Sequence, residues 1–174
     1  MVDCVPYLNN LDVWIVSHGG CGSNYIVDLF EENNIYVRDG RYGELCHRAY
    51  IPKGVNTKIL YIYGDIINSM CSQSRRRNLE TNINKLKFNT SNKDVNDPYN
   101  YLYQYNNFNK VKNNKIVKLK YPYTKEDILN VASKLDININ PESIEIKPRT
   151  KKYEMPYPKL ISDVLKYYEN SILQ

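Results

Sequence analysis

The segment Ser17-His18-Gly19-Gly20-Cys21-Gly22-Ser23 sets three glycines between an apolar run and an amphipathic one. Glycine lets backbone amides approach a ligand unhindered, and a helix that opens directly after the loop adds the positive end of its dipole. Phosphate and sulfate are held in this way. The candidate contacts are His18, Gly19, Gly20, Cys21, Gly22, Ser23 and Asn24. The competing reading is a plain structural turn, in which His18 hydrogen-bonds the backbone and shapes the loop. Downstream, His47 carries an imidazole, a group that accepts a proton near neutral pH at little cost. The alternative for His47 is an exposed or merely hydrogen-bonded ring. Arg75-Arg76-Arg77, close to Ser72, reads as a solvated helix face more readily than as a ligand site.

Other chemistries fit these residues less well. A kinase-type phosphate loop ends in Gly-Lys-Ser/Thr, whereas Gly22 is followed by Ser23 and Asn24. Gly-Gly-Cys-Gly-Ser-Asn-Tyr is similar to the active-site segment of papain-like proteases, but Asn24 stands where the nucleophile belongs and no histidine follows His47. Cys71 and Arg77 have the Cys-x5-Arg spacing of tyrosine phosphatases without the glycines of a phosphate cradle. Tyr99, Tyr101, Tyr103 and Tyr105 alternate, yet Asn and Gln rather than lysines fill the gaps. That pattern favours an irregular or edge-strand segment over a stacking platform for nucleic acid.

The elements that must position these residues follow from periodicity. Leu11 to Val16 predicts a buried strand, and Tyr25, Ile26, Leu29 and Phe30 predict a helix after the loop. Ile35 to Arg38 predicts a second strand and Lys58 to Tyr63 a third, after which Asp65 caps a long helix running toward Leu79 or beyond. Asn89 to Asn114 is polar with little apolar periodicity and reads as a mobile excursion. Lys115 to Tyr121 predicts a strand, and Thr124 caps a helix through Leu135. Ser143 to Lys147 predicts a last strand, and Lys159 to Leu173 a last helix. Strands alternating with helices imply an α/β three-layer sandwich with a mainly parallel sheet.

In order along the chain, these features resemble the sulfotransferases, a family of P-loop NTPase-like fold. The loop Gly19 to Asn24 is similar to the family's Pro-Lys-Ser-Gly-Thr-Thr. His47, Pro52 and the strand Ile59 to Tyr63 resemble its His, Pro and hydrophobic strand. Gly64 to Asn68 followed by Ser72 is similar in spacing to its Arg-Asn-Pro-Arg-Asp and Ser. Ile116 to Tyr121 with the helix through Leu135 resembles its strand and helix, and Lys147 to Lys152 its C-terminal basic segment. The resemblance implies a donor, 3′-phosphoadenosine 5′-phosphosulfate, a sulfuryl transfer to an unknown hydroxyl or amine acceptor, and His47 as base. Two positions depart: the family's loop lysine aligns with Gly20 and its phosphate-binding arginine with Gly64. Lys53, Arg75, Arg76 or Arg149 would have to supply the missing charge. The alternatives are an inactive nucleotide-binding or virion-type structural protein of the same fold, and a small-molecule P-loop kinase.

Composition is compatible with this. The 174 residues fit a single domain, and the net charge of +5 suits anionic ligands without requiring nucleic acid. The four cysteines show no C-x-x-C pair, which favours reduced thiols over zinc or disulfides. No segment approaches the ~18 apolar residues of a membrane helix. A cytoplasmic protein with no membrane contact is expected.

Overall fold

The computed structural model describes residues 4–38, 43–76, 79–82, 97, 99–110, 115–146, 162 and 166–168. Three strands form an open, all-parallel sheet in the order β1-β2-β3, with β1 Val13–Ser17, β2 Lys58–Gly64 and β3 Ile116–Tyr121. Trp14 lies opposite Ile59, and Ile59 opposite Ile116, so the three strands are in step across the sheet. Parallel neighbours require a crossover between them, and the helices supply it.

Alternation along each strand feeds two cores, since successive side chains leave opposite faces. Val13 and Ile15, Leu60 and Ile62, and Val117 and Leu119 pack with α2 (Ser23–Glu32) and α5 (Lys125–Lys134). Trp14, Val16, Ile59, Tyr61 and Ile116 pack on the other face with Leu8 of α1 (Val5–Asn9), Leu45 of the 3-10 turn Gly43–His47, and Phe108 of α4 (Tyr101–Asn109). Each fully buried large apolar side chain stabilises by ~1.5–3 kcal/mol. Trp14 also satisfies its indole N–H on the Leu45 carbonyl at 3.0 Å and meets Phe108 edge-on. The chain is therefore an α/β protein with helical elements around its sheet.

The helix caps read in the sequence are present. Asp65 accepts from the Asn68 amide and starts α3 (Ile66–Arg75). Thr124 and Asp127 close a reciprocal capping box on α5. α3 is shorter than expected, because Arg76 caps it; residues 79–82 are helical again.

Three expectations are corrected. Residues 35–38 join no strand ladder; the Asp12 amide donates to the Tyr36 carbonyl, and the Tyr36 amide to the Asp12 carboxylate. The alternation there reflects burial of Ile35 and Val37 against α2, with Tyr36 in solvent. Residues 143–146 are likewise no strand: Asn140 and Pro141 open a 3-10 turn over Pro141–Ser143, and Lys147 lies outside the described residues. Within the polar excursion, Tyr101–Asn109 is helix rather than irregular or edge strand. Asp97 accepts from the amides of Leu102 and Tyr103 at its start, and Gln104 and Phe108 are buried four residues apart. Of the expected last helix, residues 162 and 166–168 are helical, with Tyr168 fully buried, and Leu160, Ile161, Val164 and Leu165 lie outside the described residues. Among the described residues no helix is long and apolar enough to cross a membrane.

Candidate functional site

The glycine loop runs from the last residue of β1 to the first of α2, with Ser17 Oγ donating to Ser23 Oγ at 3.1 Å. Two glycines are required by close approach. At Gly20, φ is +71°, and a Cβ there would collide with the backbone carbonyl of Ser69 on α3. At Gly22, φ is +77°, and a Cβ would lie 2.7 Å from the Tyr123 hydroxyl. Gly22 is the N-cap of α2 and offers no capping side chain, while its carbonyl accepts from the Tyr25 amide at 3.1 Å.

The loop opens onto a cavity of about 390 Å³ at the carboxyl end of the sheet. Of the residues singled out in the sequence, Gly19, Gly20, Gly22, Ser23, Asn24, His47, Ser72 and Arg76 line it. Arg75 is not on this lining, nor is the exposed Lys53, and Arg149 lies outside the described residues. A wider hollow of about 560 Å³ lies at the amino end of the strands, bordered by Thr57, Lys58 and Asp136. The smaller cavity is the better candidate, because open parallel sheets bind ligands beyond the carboxyl ends of their strands. Two of the asparagine amides of the wider hollow are also engaged structurally, Asn9 on the Gly54 carbonyl and Asn33 on Leu29 and Ser143.

His18 and Cys21 are placed beneath the loop, not on the cavity lining. The Nε2–H of His18 donates to the Tyr99 carbonyl at 3.1 Å, and its Nδ1 accepts from Gln73 Nε2 at 3.2 Å. Burial lowers its pKa to about 4, against the raising effect of the Tyr99 bond, so the ring is neutral at pH 7. The Cys21 thiol donates to the Ile62 carbonyl at 3.4 Å. Burial pushes its pKa up to about 11, although the Ser17 hydroxyl and the loop amides of Gly19, Cys21 and Ser23 act in the opposite direction. Cys21 is thus a protonated core residue rather than a nucleophile.

His47 ends the 3-10 turn and is half-buried on the cavity wall. Its Nδ1–H donates to the Ser17 carbonyl at 3.0 Å; in the neutral ring the lone pair therefore sits on Nε2. Among the described lining residues Arg76 carries the full positive charge, and no carboxylate is present. The site therefore combines a cation, uncharged donors and a helix N-terminus, a set that favours anions.

Sequence reasoning missed Tyr25, Gln73, Thr81, Asn82 and Tyr121 on the same lining. The signal for Gln73 was its helix: α3 buries Ser69, Ser72 and Gln73 beside Met70 and Cys71, so its inward face is partly polar. Gly64, aligned above with an arginine, lies against Tyr121, and its carbonyl accepts from the Tyr101 hydroxyl at 2.8 Å. No protein-family model, curated protein or solved structure matches the chain.

Proposed function

We propose that the cavity holds a phosphorylated adenine nucleotide, and that the chain is a sulfotransferase-like enzyme of P-loop NTPase-like fold using 3′-phosphoadenosine 5′-phosphosulfate. The observation that carries this reading is the meeting of His47 with the glycine loop on one cavity wall, from positions 30 residues apart joined by the bond to Ser17. An acceptor hydroxyl or amine attacks the donor sulfur and gives its proton to Nε2 of His47. The bond between sulfur and the bridging phosphate oxygen breaks, and adenosine 3′,5′-bisphosphate leaves. Backbone amides of the loop and the Arg76 guanidinium oppose the charge that develops on the leaving phosphate. The test is transfer of isotopically labelled sulfuryl from the donor to a panel of hydroxyl and amine acceptors, followed by release of the bisphosphate.

A second reading, nucleotide binding without transfer, is favoured by one observation. The position that the resemblance assigns to the loop lysine, Gly20, is closed to any side chain by the Ser69 backbone. Binding of the bisphosphate with no transfer to any acceptor supports this second reading.

A further inference from the structure

We infer that Gln73 is a positioning residue for the glycine loop, holding the Gly19 carbonyl so that the Gly20 amide is presented to an anion in the cavity. The inference rests on the proposed nucleotide site and adds a residue to it. Gln73 is 2% exposed, and its Nε2 donates to the Gly19 carbonyl at 3.3 Å and to His18 Nδ1 at 3.2 Å. Its Oε1 accepts from Asn82 Nδ2 at 2.8 Å. Both amide protons and the amide oxygen are thereby engaged.

The orientation of this amide is fixed by two backbone carbonyls, which can only accept. Tyr99 requires the proton of His18 on Nε2, which leaves Nδ1 as an acceptor facing Gln73. Gly19 requires a donor at the same Gln73 nitrogen. The bond from Asn82 to Oε1 agrees with that choice. In a planar trans peptide the C=O and the next N–H point in opposite directions. A Gly19 carbonyl drawn onto the buried Gln73 therefore turns the Gly20 N–H away from it. Gly19 and Gly20 both line the cavity, so the peptide between them lies where an anion would be held. The buried His18 acts one step further back, by setting which end of the Gln73 amide faces the loop.

The experiment has a ligand-free arm and a ligand arm, with Gln73→Leu and Gln73→Glu as variants. Glutamate keeps the shape but, when ionised, can donate to neither Gly19 nor His18. In the ligand-free protein, the carbonyl carbon shift of Gly19 and the amide shift of Gly20 are compared by NMR. Both are expected to move in whichever variant folds; unchanged shifts overturn the inference. In the ligand arm, adenosine 3′,5′-bisphosphate is titrated by calorimetry. Affinity is expected to fall about 10- to 100-fold, the size of one hydrogen bond to a charged group. Wild-type affinity in a folded variant overturns the inference even if the shifts move. If the wild type binds no bisphosphate, the proposed function fails, and the ligand-free shifts still decide whether Gln73 sets the loop peptide.

Discussion

The Nδ1–H of His47 donates to the Ser17 carbonyl at 3.0 Å, so the end of β1 fixes the tautomer and direction of the ring beside the glycine loop. A side chain held in this way has its other ring nitrogen prepared to accept a proton. Replacing His47 with Ala is expected to lower the single-turnover rate of sulfuryl transfer by roughly 10²- to 10⁴-fold at saturating donor, with donor affinity retained. Equal rates for the two proteins would remove His47 as the base.

Arg76 is exposed at the end of α3 and lines the cavity. If it meets the nucleotide's 3′-phosphate, Arg76→Ala weakens adenosine 3′,5′-bisphosphate by the equivalent of ~1.5–3 kcal/mol and leaves the analogue lacking that phosphate nearly unaffected. Calorimetry with the two ligands separates this from general electrostatic attraction, which would weaken both alike.

Gly20 tests the packing of the loop on α3. With φ at +71° and the Ser69 carbonyl in the path of a Cβ, Gly20→Ala is expected to cost about 1–3 kcal/mol in urea unfolding. A variant as stable as the wild type would show that the loop and α3 do not meet as described.

The buried His18 gives a pH signature. Its folded pKa, about 4, lies below the usual 6.5, so between those values the unfolded chain binds a proton that the folded one does not. Its contribution to stability is complete above pH 6.5 and is lost as the pH falls toward 4. Each unit separating the two pKa values corresponds to about 1.4 kcal/mol. NMR titration of the ring carbons checks the premise: a His18 midpoint near 4 is expected, and one near 6.5 would contradict its burial.

The parts legible in the sequence are those where one pattern dominates. Val13 to Val16 is apolar on both faces, as a strand covered on each side must be. Thr124 and Asp127 announce α5 by capping chemistry that depends on neighbours three residues apart. α4 was hidden because tyrosines at every second position mimic a strand. Its helical form is decided by Asp97 holding the amides of Leu102 and Tyr103, and by burial of Gln104 and Phe108, which no alternation reveals. The loop glycines were legible as a candidate site, and so was His47. The link from His18 to Gln73 was not, because the partners stand 55 residues apart and meet when α3 folds onto the loop.

The most direct measurement is calorimetric titration of adenosine 3′,5′-bisphosphate into the wild-type protein, beside ATP, ADP and sulfate, with melting temperature followed in parallel. A ligand that binds the folded state alone raises that temperature. Saturable binding of one bisphosphate per chain, tighter than ATP and accompanied by a rise in melting temperature, is the expected result. Absence of both heat and thermal shift, or stabilisation by ATP alone, would contradict a site built for the 3′-phosphorylated nucleotide.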